Sequence, residues 1–424
     1  MNSERECYVY IVLPGATEFV TAGRFEVMEV SPGFLGTFVY GRKYRERKDA
    51  VELDPVELRL SNQVYETASR DGFFGAIRDS MPDFWGRRVI ERNAGLPQLE
   101  EFDYLLEGPD DRAGALGFGR GVEPPAPKRR FNRTLDLERL QVAADAIIAD
   151  KPGRAGSAAA QAEELMRVGT SMGGARPKTV VQDNHVLWLA KFSRDDDRWN
   201  HPRVEYAMLT LAQTCGLQSA DSRIETIGGR DVLLVRRFDR HWVNTGYRRY
   251  RMVSALTLLR TGDSAADRGD WSYLVLADEI RRVSADPEAD LRELFGRICF
   301  NAAVSNLDDH PRNHAIIAKE CDWRLSPAFD LTPIPRVAIE RRNLAMTCGR
   351  AGTYANKTNI LSDYGRFLLS EAEAQAIFAR VTDTVRAEWY PTLRRIGVSD
   401  ADCEAIKSAF LYDGLFYELD TESS

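Results

Sequence analysis

The residues best suited to chemistry lie in Asn306-Leu307-Asp308-Asp309-His310-Pro311-Arg312-Asn313, followed by Ser326-Pro327-Ala328-Phe329-Asp330. Asp308 and Asn313 stand five positions apart, and Asp330 follows in an apolar setting. One carboxylate can orient or deprotonate a hydroxyl. An amide oxygen and another carboxylate can hold magnesium against nucleotide phosphates, as phosphoryl transfer requires. The spacing equals that of the protein-kinase catalytic loop, without its His-Arg-Asp and Asp-Phe-Gly surroundings. The competing reading is a helix end and turn, where Asn, Asp and His are common because they hydrogen-bond the local backbone.

Other parts precede this loop in an order that favours the chemical reading. Thr170-Ser171-Met172-Gly173-Gly174-Ala175-Arg176-Pro177-Lys178 is a small-residue loop that leads into Thr179-Val180-Val181. It matches neither a Walker A motif nor GxGxxG, yet small residues let backbone N–H groups approach a phosphate. A turn at Asp183-Asn184 and a strand over 185–192 complete a hairpin, and alternation places Leu187, Leu189 and Lys191 on one face. A lysine ending an apolar face must snorkel, pair with a carboxylate or meet an anionic ligand. A helix is expected over 201–215 with Val204, Met208, Leu211 and Cys215 as its apolar stripe; Glu205 lies outside that stripe near the start. His310 and His314 stand four apart, but Pro311 and the lack of HExxH or CxxC argue against zinc. No GxSxG elbow supports a serine hydrolase. The tryptophans at 188, 199 and 242 read as packing.

These parts need two kinds of support. Residues 8–13 and 33–40 read as strands and 72–93 as helical despite Pro82, and the proline-rich stretch 121–128 suggests a linker. Helices are expected over 136–149 and 158–168, and a strand over 232–235 that runs into Arg236-Arg237-Phe238-Asp239-Arg240. Beyond about residue 252 the chain turns mainly helical, over 271–283, 290–304, 370–393 and 400–412, with a short strand at Trp323-Arg324-Leu325. The expected fold class is α+β, a two-lobed kinase-like arrangement, with segments 1–122, 123–240 and 241–424 as amino-terminal module, strand-rich lobe and helical lobe.

The bulk numbers agree. A chain of 424 residues with 44% hydrophobic content can bury more than one core, and a formal charge of -7 argues against a surface that grips nucleic acid throughout. The basic clusters at 128–130, 236–237 and 248–249 read as solvated surface or a local anion site. Six cysteines without a framework suggest reduced thiols. With no secretory or membrane-length apolar segment, a cytoplasmic protein without a membrane partner is expected.

The chain resembles the HipA-like serine/threonine kinase toxins of bacterial type II toxin–antitoxin systems over nearly its whole length. The carriers are Gly41-Arg42-Lys43-Tyr44 with residues 53–58, Asp79 to Arg88, Asp111 to Phe118, the Ser-x-x-Gly-Ala-x-x-Lys loop at 171–178, and Asn-x-Asp-x-His-x-Lys-Asn at 306–313, where Arg312 replaces the usual Lys. The resemblance implies ATP and Mg²⁺ as cofactors, Asp308 as catalytic base, and Asn313 and Asp330 as metal ligands. It places Lys191 on the nucleotide phosphates, with Glu205 as its ion-pair partner by analogy with kinases. Arg236, Phe238 and Asp239 would lie along the adenine pocket, and Ser171, Met172, Gly173, Gly174, His310 and Arg312 would border the nucleotide. Ser171 would be the autophosphorylated, self-inhibiting residue, with Thr170 as a competing acceptor. The implied partners are a helix-turn-helix antitoxin of the HipB type, through which alone DNA would be met, and a protein substrate such as an aminoacyl-tRNA synthetase, whose modification would arrest translation. A small-molecule or lipid phosphotransferase of the same fold is the alternative, and a non-enzymatic antitoxin-binding component is a third.

Overall fold

The computed structural model describes residues 5–95, 98–129, 131–149 and 176–419. The chain divides into two compact units. The first comprises residues 1–194, 225–260 and 316–322, and the second 195–224, 261–315 and 323–424. The first unit holds two five-stranded sheets. One runs in the order β4-β3-β2-β1-β5, built from β1 (Arg5–Val12), β2 (Phe19–Glu29), β3 (Phe34–Tyr40), β4 (Val64–Thr67) and β5 (Leu116–Gly119). Its pairs from β4 through β1 to β5 are antiparallel; short turns join β1 to β2 and β2 to β3, whereas β4 and β5 return from farther along the chain. Residues 121–128 lie inside this unit. The Lys128 amide donates to Asp110 Oδ2 (2.7 Å), and the Tyr10 and Thr21 hydroxyls bond the Gly121 and Val122 carbonyls.

The second sheet carries the lysine hairpin. Its order is β6-β7-β8-β10-β9, from β6 (Asn132–Arg133), β7 (Lys178–Asp183), β8 (Val186–Phe192), β9 (Ser222–Ile227) and β10 (Arg230–Arg236). Period-two alternation splits β8 cleanly. Leu187 and Leu189 pack with Val180 and Tyr247 on one face, while Ala190 and Phe192 join Val181, Val232 and Leu234 on the other. A helix over Leu137–Ile148 covers that second face with Leu140, Ala143, Ala144 and Ile147, the spacing of a core-facing stripe. The hairpin turn falls at Asn184-His185, not at Asp183-Asn184. Both residues take positive φ, as a two-residue turn with the strands' twist demands.

The stretch 72–93 is two helices, not one. Gly75–Asp79 ends before Pro82, and Phe84–Ala94 restarts after it. A helix cannot pass a proline ring without losing a backbone bond, and Asp83 turns the break into a start by accepting the Gly86 amide (2.7 Å). Trp85 on this helix enters the second sheet's core, and its indole donates to the Lys178 carbonyl (3.0 Å). Asp83 also pairs with the buried Lys178 ammonium (3.3 Å). The motif around residues 79–88 thus fastens the entry of the lysine hairpin.

Two of the basic clusters are only partly surface: Arg236 is exposed and Arg248 half-buried, but their neighbours turn inward. Arg237 and Arg249 are buried, and each meets a carboxylate, Asp239 and Asp110 respectively. Asp239 Oδ1 accepts Arg237 Nε (3.0 Å). Its Oδ2 accepts Arg237 Nη2 (2.7 Å), Arg240 Nη1 (2.7 Å) and the Gly114 amide (2.9 Å). Arg237 and Arg240 also donate to the carbonyls of Asp111, Arg112 and Gly114. The Asp111–Gly114 stretch and the residues that follow β10 are therefore one ionic knot.

The second unit is mainly helical, with helices over His201–Thr214, Tyr273–Val283, Pro287–Ala303, Glu371–Ile396 and Asp400–Ile406. Val204, Met208 and Leu211 are buried as the stripe anticipates, and Cys215 is the C-cap. Glu205, off the stripe, is buried as well. The second of these helices begins at Tyr273 because Ser272 caps it, accepting from the Leu274 and Val275 amides. The last helix stops at Ile406 and tightens into a short 3₁₀ turn, so it does not reach Tyr412. No helix among the described residues is long and apolar enough to cross a membrane.

The ionic knot has a measurable signature. Burial alone would raise the Asp239 carboxyl, but Arg237 and Arg240 overturn that and hold it well below the usual carboxylate range. Asp239→Asn is expected to cost about 3–5 kcal/mol in chemical denaturation, since it strands two buried guanidinium groups. For a carboxyl lowered in the folded state, the contribution is complete above the unfolded value and fades as pH falls through the folded one. The wild-type advantage should therefore stay flat down to about pH 4 and shrink only in stronger acid.

Candidate active site

The loop after the helix Pro287–Ala303 has an inside and an outside, and two adjacent aspartates take opposite sides. Asp308 is exposed, whereas Asp309 is 1% exposed. Asp309 Oδ2 accepts Asn301 Nδ2 (2.6 Å), lies 2.7 Å from His314 Nε2, and accepts the Tyr273 hydroxyl. Asn301 Oδ1 in turn accepts Asn306 Nδ2 (3.0 Å), and the Asn306 amide bonds the Asn301 carbonyl (2.8 Å). Burial, and then the Asp309 charge, push the Tyr273 hydroxyl well above its ordinary range, so it stays a proton donor. A carboxylate out of water needs such a set of donors.

The outward side is built from the same turn. The Asp308 backbone carbonyl accepts twice, from the His310 amide (2.8 Å) and from Asn313 Nδ2 (3.4 Å). Pro311–Asn313 forms one 3₁₀ turn after His310, with Pro at its first position, where no N–H is needed. Arg312 pairs with Asp263 (2.5 Å), so the cation at this position is engaged on the surface of its own unit. The His310 ring meets Trp271 edge-on at 6.3 Å.

Asp330 is positioned by a separate set of bonds. Arg297 Nη2 donates to the Ser326 carbonyl (2.6 Å), and the Ser326 amide bonds Ala315 (2.9 Å). Ala328 is clamped on both sides, its amide to the Gln218 carbonyl and its carbonyl to the Ala220 amide, each at 2.8 Å. Two residues later Asp330 takes φ +59. A left-handed aspartate costs energy and persists only where surroundings fix it, a pattern concentrated at functional sites.

Asp308, His310, Arg312, Asn313, Asp330 and Glu205 belong to the second unit, and Lys191, Arg236, Phe238 and Asp239 to the first. Lys191 is half-buried on β8, opposite Lys178 in the ladder and beside Leu233 of β10. Directly opposed residues share a face, so two lysines stand together there. Arg236 is exposed and Phe238 half-buried. Asp239, expected along an adenine pocket, has both carboxylate oxygens engaged in the ionic knot. Ser171, Met172, Gly173, Gly174 and the competing Thr170 lie outside the described residues.

Sequence reasoning missed Asp309, Tyr273, Asn301 and Arg297. The doubled Asp308-Asp309 was the available signal, since two adjacent side chains at a turn cannot both face solvent and core. For a metal ion, the fit rests on donor chemistry. Asn313 spends its amide nitrogen on the Asp308 carbonyl, leaving its oxygen, and Asp330 adds a carboxylate. Two oxygen donors suit magnesium, which keeps waters and phosphate oxygens as its other ligands. Among the described residues no group of three or more His, Cys, Asp or Glu side chains forms a metal cage.

The two aspartates should separate in stability measurements. Asp309→Asn removes the charge on which Tyr273, Asn301 and His314 converge and puts an amide N–H₂ into a buried site, and is expected to cost on the order of 3 kcal/mol in urea unfolding. Asp308→Asn, an exposed change, should stay within about 0.5 kcal/mol of wild type. Equal effects would contradict the inside-outside assignment.

Comparison with known proteins agrees with this architecture. The HipA-like C-terminal domain family matches residues 170–389, and the HipA N-terminal domain family matches 22–119. A relative that carries a kinase name, Y4mE of Sinorhizobium fredii, is 27% identical over 298 residues, 67% of this chain and 69% of its own. Among solved structures, HipA in the Shewanella oneidensis MR-1 complex of HipA, HipB and operator DNA superimposes with a TM-score of 0.69. That match has 14% identity and covers 96% of each chain. The fold is thus the two-lobed kinase-like α+β fold of HipA, and with more than half its length matched, the chain belongs to the HipA-like family.

Proposed function

We propose that this protein is an ATP-dependent serine/threonine protein kinase and the toxin of a toxin–antitoxin pair. The carrying observation is the split of Asp308 and Asp309. A buried, triply bonded carboxylate fixes the turn, and its exposed neighbour is left to meet a hydroxyl. Asp308 would align the incoming hydroxyl with the γ-phosphorus and take its proton. Asn313 and Asp330 would hold Mg²⁺, which when bound neutralises charge on the phosphates. Lys191 would contact the nucleotide phosphates, and Glu205, buried in its helix, would be the carboxylate that orients it. Arg236 and Phe238 would border the adenine, and His310 and Arg312 the phosphate side. Little covalent work falls to the protein, so positioning and charge compensation dominate.

The loop Ser171, Met172, Gly173, Gly174 would cover the nucleotide. A phosphate on Ser171 would add roughly -1.5 to -2 charge beside a site built for phosphate, which is a physical reason for self-inhibition. The partners would be a HipB-type antitoxin, as in the Shewanella complex, with DNA met only through it, and a cytoplasmic protein substrate. Modification of an aminoacyl-tRNA synthetase would arrest translation. The boundaries 1–122, 123–240 and 241–424 would separate amino-terminal module, nucleotide-gripping lobe and catalytic lobe.

Labelled ATP and a cell lysate test the reading. Transfer to protein is expected, falling roughly 10²–10⁴-fold in Asp308→Asn without change in the melting midpoint. Label confined to a low-mass or organic-soluble fraction would favour a small-molecule or lipid phosphotransferase. Lys191→Ala should weaken nucleotide binding while the protein remains folded. Mass spectrometry should find phosphate on Ser171 in wild type and none in Asp308→Asn; phosphate on Thr170 alone would contradict the assignment.

A further inference from the structure

A groove of about 350 Å³ in the second unit begins at Leu307, the residue before Asp308, and is walled by the segment 336–343. Arg342 holds this wall in shape. Its Nη1 donates to Ser305 Oγ (2.7 Å) and the Ser408 carbonyl (2.8 Å), its Nη2 to the Arg336 carbonyl (2.9 Å), and its Nε to the Ala338 carbonyl (3.0 Å). Every nitrogen of that buried guanidinium is spent on the fold, and the Ser305 bond ties the wall to the turn that precedes the catalytic loop. Arg336 and Arg341 also line the groove, are exposed, and form no ion pair with a carboxylate among the described residues. The Arg341 guanidinium lies over the Tyr354 ring at 4.9 Å and its Nε donates to Asn343 Oδ1 (3.4 Å), contacts that hold the group in place without neutralising its charge. Between them Val337 is 97% exposed. A shallow groove with two guanidinium groups that no carboxylate neutralises among the described residues, and one bare apolar side chain, is unlike ordinary solvated surface.

We propose that this groove docks an acidic segment of the protein substrate, in extended form, beside the hydroxyl presented to Asp308. The inference rests on the kinase reading and names the substrate class for it. Charge complementarity selects the occupant. Guanidinium groups match carboxylates in two-point contacts, and Val337 supplies an apolar seat for a neighbouring side chain. Two available cations are too few for a nucleic-acid backbone on a chain of formal charge -7. Continuity with Leu307 sets the register, because a peptide whose hydroxyl reaches Asp308 must pass over the next few groove residues.

Two fluorescein-labelled serine peptides test this on the full chain, one flanked by Asp and Glu, the other by Lys at the same positions. Fluorescence anisotropy should give the acidic peptide at least roughly tenfold tighter binding, weakening as salt rises. In R336E/R341E the preference should be lost or reversed, and transfer from labelled ATP should follow it. If the double variant melts early, R336A alone and the salt titration of wild type give the same reading. Equal affinity for both peptides, or a preference untouched by the substitutions, would overturn the groove assignment. Charge-dependent binding without transfer to either peptide would sustain the groove and sink the kinase reading, so the two failures are distinguishable.

Discussion

The path of the loop that follows the helix Pro287–Ala303 depends on one buried carboxylate. Asp309 gathers Tyr273, Asn301 and His314, residues that come from a helix start, a helix end and the far side of the turn. Removing a charge from water is unfavourable, and here the donors that offset the cost also dictate the path of the chain. With Asp309 turned inward, Asp308 is turned outward, and Pro311 closes the turn so that Asn313 returns to the Asp308 carbonyl. The acid that could act on a substrate is thus placed by the acid that cannot.

The same division recurs along the chain. Asp239 in the first unit looks like a ligand-facing residue at a strand end, yet it anchors Arg237 and Arg240 and joins the Asp111–Gly114 stretch to the residues that follow β10. Arg342 spends every guanidinium nitrogen on carbonyls and a hydroxyl, while the exposed Arg336 and Arg341 meet no carboxylate among the described residues. In each case a buried charged residue is consumed by architecture.

Much of this was legible from residue order. The Asp308–Asn313 spacing, the strand ending in Lys191 and the stripe of Val204, Met208 and Leu211 all follow from local periodicity and turn chemistry, which depend on neighbours in sequence. What was not legible depends on partners remote in sequence. Nothing local says that Asp239 will meet the Gly114 amide 125 residues away, or that Arg237 is interior while Arg236 is exposed. Pro82 was underrated because helical composition continues on both sides of it, although its ring ends one helix and Asp83 begins another. Glu205 lies off the apolar stripe and is still buried, since a stripe records only the apolar part of what a helix covers.

The central claim is that Asp309 positions the loop and Asp308 acts from it. Steady-state phosphotransfer by Asp309→Asn, measured well below its melting midpoint, addresses that claim most directly. A loop that has lost its anchor should show a lowered kcat while the KM for ATP changes little, the mark of an interaction needed only in the transition state. Wild-type kcat in a fully folded Asp309→Asn protein would contradict the account.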